Sequence, residues 1–354
     1  MGISQRKAAK AVLSSRDTRI DLQGKDILFL APRFFSYEHE IAEEMRRRGA
    51  QVDWLPDRPL DTPLMTAVTR LHPQSILPIA DKLYRRQLNN WGRKKYDLIF
   101  VLNGQTLSRA LLAELRTCLP NARFVLYMWD SIVNRASLVE KLDLFDECLS
   151  FDPSSVAQYG MRLRPLFFSP GFESESIPEP QYHISFIGTA HTDRYSIISS
   201  IDEALKPNIR RFWHLYLQAR WVYAVYRYTN RSFLGASLDD FRFNPLSGSA
   251  VRDIFKQSRA VLDVEHPRQT GLTMRSFETL GAKKKLVTTN FRVRELPFYS
   301  EQNILVIDRS NPQVDTDFLL SPYVPVDPLI YNRYSLSGWL DEVLMNSFPN
   351  KNLT

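Results

Sequence analysis

The feature that most constrains the fold is an alternation of short apolar runs with helical segments along most of the chain. The first run, Asp26–Ala31 (DILFLA), ends at Pro32 and is typical of a buried strand. A helical pattern over Glu38–Arg48 stops at Gly49, where the missing Cβ permits the left-handed turn that ends helices. Buried strands that alternate with helices pair in parallel through helical crossovers. The pattern therefore predicts an α/β layered fold.

The same alternation continues in two series. The first predicts strands at Gln51–Leu55, Tyr96–Asn103, Arg123–Trp129 and Cys148–Phe151, with helices near Asp81–Arg93, Ser108–Leu119 and Leu138–Phe145. The second predicts strands at His183–Gly188, Phe212–Leu217, Ala260–Val264, Lys285–Thr289 and Asn303–Asp308, with helices at Arg194–Leu205, Ser249–Ser258 and Met274–Leu280. No internal repeat is evident, which excludes solenoids and propellers.

Prolines and polar residues interrupt the alternation at Pro165–Pro180, and 354 residues suit two domains. We predict a flexible basic leader over residues 1–23, a first α/β domain over 24–170 and a second over 171–334. A last helical stretch, Ser335–Met345, comes after the second sheet should be complete. We expect residues 335–354 to pack back on the first domain.

Cysteine usage and hydropathy indicate the compartment. The two cysteines, Cys118 and Cys148, show no paired spacing, which fits a reducing compartment, and we interpret each as a small core residue. The chain has neither an apolar run long enough to span a membrane nor a signal-peptide core. These features predict a cytoplasmic protein. The six histidines show no ligand spacing, so we expect no metal site.

The positive charge is concentrated in the leader and in one further segment. The net charge is +7, and Lys206–Arg231 holds six cations and no Asp or Glu, interleaved with seven aromatic residues. Aromatic rings beside long cations suit a membrane interface, so we predict peripheral contact with an anionic membrane through this segment and the leader. The alternative is a helix whose aromatics pack in the core while its arginines face solvent. Because the remaining chain is nearly neutral and lacks recognised basic motifs, we expect no nucleic-acid partner.

One candidate ligand loop leads from the strand His183–Gly188 into a helix. Ligands of parallel sheets bind beyond the carboxyl ends of the strands, and Gly188 permits close backbone approach there while Thr189 carries a hydroxyl. Arg194 lies in the first helical turn, where it opposes the helix dipole but is well placed for a bound anion. The loop predicts a diphosphate contact, the alternative being a surface arginine paired with Asp193. No GxGxxG or P-loop pattern occurs here.

A second candidate lies at the start of the helix Met274–Leu280. Arg275 and Glu278 are three apart and share a face of this helix, with Thr273 as a candidate N-cap. A carboxylate near a helix start can accept both hydroxyls of a ribose, and an arginine can hold phosphate. The pair therefore suits a nucleotide, and the alternative is a surface ion pair.

These residues resemble a known family. The runs EHPRQTGLTMRSFETLGAKKKLVTTN and SFIGTAHTDRYS, with APRFFSYEHEIAEEMRRRG and FVLYMWDSI, are similar to bacterial glycosyltransferases of the GT-B fold that make lipopolysaccharide and capsular polysaccharide. That group is related to the spore-maturation glycosyltransferase-like proteins, and the likeness covers roughly Lys25–Asp308. It implies two Rossmann-like domains facing a central cleft, the first binding an acceptor and the second a nucleotide-sugar.

The resemblance also implies residue roles. Glu278 would hold the nucleotide ribose, Gly188 and Thr189 with Arg194 would hold the diphosphate, and Arg275 would contact phosphate or sugar. His266 and Thr273 complete the expected donor-binding set. Many GT-B enzymes carry Glu-x7-Glu, whereas Thr270 stands eight positions before Glu278 in this chain. The class generally stabilises the leaving diphosphate with basic side chains, so we expect no cofactor.

Acid–base candidates follow strands of the first domain. An inverting reaction needs a group that takes the proton of the acceptor hydroxyl. Asp130 is the first candidate, with Glu38 and His39 behind it, and a helix-cap role for Asp130 is the alternative.

The resulting interpretation is a transferase that moves a sugar from a nucleotide-sugar to a surface glycan or lipid-linked acceptor, in lipopolysaccharide, O-antigen or capsule biosynthesis. A nucleotide-sugar epimerase and a non-catalytic nucleotide- or glycan-binding protein are the alternatives.

Overall fold

The computed structural model describes residues 19–57, 73–90, 95–132, 136–173, 179–267 and 270–348. Several predicted features fall partly outside these ranges: residues 1–18 of the leader, residues 91–93 of the second helix, and residues 268 and 269 of the EHPRQTG run. Contacts divide the chain into two compact units. The first runs to Pro165 and resumes at Leu336, and the second is Leu166–Ser335.

The first unit is built on a sheet of six parallel strands. They are β1 (Asp26–Ala31), β2 (Gln51–Pro56), β3 (Leu98–Leu102), β4 (Arg123–Met128), β5 (Glu147–Ser150) and β6 (Arg162–Leu163), in the order β2-β1-β3-β4-β5-β6. Its first four helices are α1 (Tyr37–Arg47), α2 (Pro73–Asn90), α3 (Arg109–Cys118) and α4 (Pro153–Tyr159). Every residue of β3 is buried, as expected for a parallel strand covered on both faces.

The second unit repeats this plan. Its strands are β7 (Tyr182–Thr189), β8 (Arg211–Tyr216), β9 (Phe241–Arg242), β10 (Ser258–Asp263), β11 (Lys285–Thr288) and β12 (Ile304–Val306), in the order β12-β11-β10-β7-β8-β9. The helices are α5 (Arg194–Ala204), α6 (Arg220–Thr229), α7 (Gly248–Lys256), α8 (Met274–Gly281), α9 (Thr316–Leu320) and α10 (Pro328–Arg333). All strand pairs in both sheets are parallel, which confirms the predicted α/β class.

Each sheet reverses its strand order at one point. The reversal lies between β1 and β3 in the first unit and between β7 and β10 in the second. At such a point the connecting loops leave toward opposite faces of the sheet, and a crevice opens beyond the carboxyl ends of the two strands. The loops after these four strands are therefore where a ligand is expected in each unit.

The last helix, α11 (Leu336–Leu344), belongs to the first unit. Its Trp339 is fully buried, with its ring 4.9 Å from that of Tyr127 on β4. Arg48 donates to the backbone oxygen of Ser337 at 2.8 Å, and its guanidinium also pairs with Asp341. The chain thus returns to complete the core of the unit in which it began.

Several local predictions need correction. The segment predicted as a helix over Leu138–Phe145 forms a 3-10 helix at Ala136–Leu144. Cys118 is exposed rather than part of the core. Cys148 is half-buried, and burial raises the pKa of its thiol to about 12. No helix in the described ranges is long and apolar enough to cross a membrane.

Candidate functional site

The strand end at Gly188 is shaped for close approach. A Cβ at this position would lie 2.9 Å from Cζ of Phe186 and 3.3 Å from a terminal guanidinium nitrogen of Arg275. Any larger residue would therefore displace the ring or the arginine. Gly188 is next to Thr189 at the end of β7, one of the two strands that flank the reversal.

Arg194 is half-buried, and its guanidinium is bonded to the backbone of two strand ends. Its Nε donates to the carbonyl oxygen of Val264 at 2.7 Å, and a terminal nitrogen donates to that of Thr189 at 3.1 Å. Burial, and then the neighbouring charge of Arg275, lower the pKa of Arg194 to about 10. The alternative of a surface arginine paired with Asp193 is wrong, because Asp193 pairs with Arg309.

Two arginines share one aromatic ring. The guanidinium carbon of Arg275 lies 5.6 Å from the centre of the Phe186 ring, and that of Arg194 lies 6.0 Å from it. The Nε of Arg275 is buried without a hydrogen-bond partner in the described structure. Two fixed cations at one point repel each other, so an anion bound between them would be strongly favoured.

Helix α8 is fastened to the end of β10 through Asp263. The hydroxyls of Thr273 and Ser276 both donate to Oδ2 of this buried carboxylate at 2.7 Å. Thr273 occupies the N-cap position, as predicted, but its side chain makes no capping hydrogen bond. The two hydrogen bonds to Asp263 hold the first turn of α8, which carries Arg275, against the end of β10. Glu278 is buried one turn later.

Arg309 is part of this site, although the sequence analysis did not identify it. Its guanidinium contacts Oδ2 and Oδ1 of Asp193 at 2.6 and 3.0 Å and Oε1 of Glu265 at 2.6 Å. It ties the loop after β7 to the loop after β10. Arg309 comes three residues after β12, so the strand-end rule that pointed to the other residues could have found it.

Two histidines line the same loops. The rings of His191 and His266 lie 5.6 Å apart. Burial first, and then the charge of Arg194, lower the pKa of His191 to about 4. His191 is therefore neutral at physiological pH and would act there as a hydrogen-bonding group.

In the first unit, the predicted residues Glu38 and His39 lie in the first turn of α1, directly after the loop that follows β1. Oε2 of the buried Glu38 accepts from the backbone N–H of Phe34 at 3.0 Å, and Oε1 lies 3.6 Å from Nε2 of His39. The loop holds Phe35 and Ser36 in left-handed conformations, with φ of 50° and 68°. Glu38 thus holds a strained loop together.

Asp130 is half-buried at the end of β4. The ring of the preceding Trp129 lies 5.9 Å from that of Phe34, so the loops after β1 and β4 are in contact. Asn103, which follows β3 with φ of 62°, accepts from the backbone N–H of Trp129 at 3.2 Å. The structure therefore brings three strand-end loops together at one edge of the first sheet.

Asp57, which was not among the predicted residues, also lies at this edge. Its buried carboxylate accepts from the backbone N–H groups of Gln105 at 3.1 Å and Thr106 at 3.3 Å. The residue directly follows β2, and its position after a strand is the only sequence signal it carries.

Solved structures with the same architecture exist. The HepE protein of Anabaena in complex with UDP-glucose is 12% identical, with a TM-score of 0.59 over 91% of this chain and 98% of that one. A glycosyltransferase from Rickettsia africae is 11% identical, with a TM-score of 0.57 over 92% and 99%. No family model matches the chain, and no curated protein matches it. The likeness shows that the fold is GT-B, as the sequence predicted.

Proposed function

We propose that this chain is a glycosyltransferase that transfers a sugar from a nucleotide-sugar donor to an acceptor glycan. The observation that carries the proposal is the pair of guanidinium groups, Arg194 and Arg275, on the ring of Phe186 beside the reversal of the second sheet. Fixed cations at the starts of two helices suit a diphosphate. The UDP-glucose bound by HepE, which shares the fold, supports the same donor class.

Each donor-site residue contacts the part of the donor that suits its chemistry. Arg194 and Arg275 stabilise the charge that develops on the departing diphosphate, in a place where they need not reorganise. Glu278 accepts hydrogen bonds from the ribose hydroxyls, while His266 and Thr189 contact the phosphate or sugar. We propose that no metal or cofactor takes part, and a chelator should therefore leave turnover unchanged.

Titration calorimetry with UDP, ADP, GDP and thymidine diphosphate tests the donor site. A charged hydrogen bond contributes about 1.5–3 kcal/mol, so Arg275→Ala should weaken the preferred nucleotide by roughly 10- to 100-fold. Arg211→Ala is the matched control, because it removes a half-buried arginine paired with Asp202 at the amino end of β8. Equal affinity in the parent protein and Arg275→Ala would remove the donor-site assignment.

We propose that the acceptor binds at the carboxyl edge of the first sheet, with Asp130 as the general base. Asp130 is the leading candidate because it follows β4, where the loops after β1, β3 and β4 meet. Asp130→Asn should lower donor turnover by about 10²–10⁴-fold with nucleotide affinity unchanged. Release of nucleotide from the nucleotide-sugar measures this. Unaltered turnover would exclude Asp130, and loss in Glu38→Gln or His39→Gln alone would transfer the role to that residue.

We further propose that the enzyme works at the inner face of the cytoplasmic membrane on a lipid-linked acceptor of lipopolysaccharide, O-antigen or capsule synthesis. Helix α6 supports this, since Trp221, Val225 and Tyr228 form an outward stripe, with Trp221 69% and Tyr228 85% exposed. Tyr223 on the opposite face packs into the core. One face of the helix therefore packs in the core, while the other exposes aromatic side chains to solvent. This pattern is typical of interfacial helices.

Exposed arginines flank this stripe and give it charge complementarity to anionic lipid. Co-sedimentation with vesicles of 30% phosphatidylglycerol should fall when Arg220→Gln and Arg227→Gln are combined. Lys82→Gln with Arg86→Gln on α2 is the control, because it removes two exposed cations from another helix. If the two double variants sediment alike, α6 is not the membrane contact.

A further inference from the structure

A cavity lies in the second unit, at the opposite end of the sheet from the donor site. It has a volume of about 660 Å³ and is lined at the amino ends of β10 and β11 by Arg259 and Lys285. The donor loops leave the carboxyl ends of β7 and β10. Since each strand residue advances about 3.3 Å, the five steps from Arg259 to Val264 separate the two sites by roughly 16 Å.

One side of this cavity is strongly basic. Arg259 and the consecutive residues Lys283, Lys284 and Lys285 line it, and we call these four residues the basic wall. None of the described residues that line the cavity carries a carboxylate. Glu173 is the acidic group that Lys283 influences from outside the lining.

The hydrogen bonds of the basic wall go to neutral oxygens. Lys284 donates to the carbonyl oxygen of Lys256 at 2.7 Å, and Lys285 donates to that of Phe318 at 2.8 Å. Arg259 donates to the carbonyl oxygen of Leu320 at 3.0 Å, while its Nε is buried without a partner in the described structure. These carbonyls lie at the ends of α7 and α9, so they bring only the partial negative charge of a helix C-terminus, which offsets the cations in part.

Burial makes this concentration of charge costly. Lys284 and Lys285 are both buried, and burial lowers the pKa of Lys284 to about 8. Buried cations are normally paired with an anion, because desolvation penalises an uncompensated charge heavily. The basic wall therefore has the electrostatics of an anion site.

The rest of the cavity lining is mostly apolar and aromatic. Tyr323, Tyr331 and four prolines line it, and the ammonium of Lys283 lies 5.5 Å from the centre of the Tyr331 ring. The hydroxyl of Tyr323 is buried without a hydrogen-bond partner in the described structure. A buried hydroxyl is normally satisfied, so this one marks a polar contact that a ligand would complete.

The backbone of Lys283 ends helix α8 in a left-handed conformation, with the Lys283 and Lys284 N–H groups bonded back to Leu280 and Thr279. It has φ of 53°, in the left-handed region just after α8, where glycine is the residue that fits without strain. A lysine at this position keeps a cation at the mouth of the cavity despite the strained backbone.

We propose that this cavity binds an organic phosphate, with the phosphate on the basic wall and an apolar or planar portion against Tyr323 and the prolines. The volume lies within the usual range of small-molecule sites, about 300–1,000 Å³. The site is separate from the donor site and does not depend on the proposed transferase activity. Its ligand chemistry is shared by lipid phosphates and by nucleotides, which the experiment distinguishes.

The test uses the full chain and titration calorimetry with farnesyl phosphate, farnesol and UMP. Lys283→Gly removes a cation and relieves a strained backbone, and Tyr323→Phe removes an unsatisfied hydroxyl. Both variants should keep or raise the thermal midpoint, yet weaken the phosphate ligand at least 5-fold. Arg275→Ala in the donor site should leave this binding unchanged.

Binding of farnesyl phosphate but not of farnesol or UMP would identify a lipid phosphate, and binding of UMP that survives Arg275→Ala would identify a nucleotide. The proposal is overturned if no phosphate probe binds the parent protein. It is also overturned if Lys283→Gly and Tyr323→Phe both bind as tightly as the parent. If Arg275→Ala abolishes UMP binding while Lys283→Gly and Tyr323→Phe keep it, UMP binds the donor site and not this cavity.

Discussion

Gly188 shows how one missing side chain positions a charged group. A methyl group at this position would meet Phe186 at 2.9 Å and Arg275 at 3.3 Å. Gly188→Ala should therefore shift the arginine and weaken nucleotide binding by about tenfold, which corresponds to 1.4 kcal/mol. Calorimetric titration with the preferred nucleotide measures the change. Gly248→Ala, whose Cβ would meet its nearest neighbour at an ordinary 3.5 Å, is the control, and the proposed contact fails if both variants bind alike.

His191 gives the donor site a dependence on pH. Burial and then Arg194 lower its pKa from 6.5 to about 4. Between these values the unfolded chain binds a proton that the folded chain does not, so the free energy of unfolding falls as the pH falls from 6.5 toward 4. His191→Gln should lose less stability than the parent protein between pH 7 and pH 5.

Urea denaturation at the two pH values measures this difference. Burial also lowers the pKa values of His183 and His214, but both remain in the variant, so their contributions cancel in the comparison. Bound diphosphate should raise the pKa of His191, because its negative charge favours the imidazolium. An equal loss of stability in parent and variant would show that the surroundings of His191 are not those described.

Part of the site was readable from the sequence at this scale. Gly188, Arg194 and Arg275 occupy a strand end or a first helical turn, and position alone makes such residues conspicuous. The roles of Asp263 and Arg309 depend on which strands are neighbours, and the sequence order does not state that. Thr273 was assigned its usual capping role because the competing acceptor, Asp263, lies ten residues earlier in the chain.

Helix α8 illustrates how an element is set in place by one carboxylate. Asp263 accepts from Thr273 and Ser276, so its removal leaves two hydroxyls without this acceptor. Asp263→Ala should lower the free energy of unfolding of the second unit by about 1–3 kcal/mol. Urea denaturation followed by hydrogen exchange in β10 measures it. The exposed Asp239→Ala should have little effect, and an equally small effect of Asp263→Ala would contradict the fastening.

Elements that were long and strongly apolar were predicted well. The strands β1, β3, β4 and β7 match their apolar runs to within about two residues at either end. The two-residue strands β6 and β9 were not predicted, because periodicity cannot be read in so short a segment. A helix at α6 was predicted only as the alternative to a membrane-contact segment. The exposed Trp221 and Tyr228 on its outer face make its apolar periodicity harder to recognise in the sequence.

At the scale of the whole molecule, two successive α/β series imply two sheets, and the sequence predicted that class. The strand order within each sheet could not be predicted from the sequence, because parallel pairing joins segments that lie far apart in the chain. The order matters for function, since it puts the loops after β7 and β10 side by side at the reversal. Candidate residues from both loops thereby become one site.

The return of the chain to its first unit carries a prediction about stability. Trp339 of α11 is fully buried against Tyr127, so Trp339→Ala should lower the free energy of unfolding of the first unit by about 3–5 kcal/mol. Hydrogen exchange should show lost protection in β3 and β4, while β7 and β10 keep theirs, because each unit has its own core. Phe291→Ala removes an exposed aromatic ring and is the control. If protection falls equally in both sheets, the two units unfold as one.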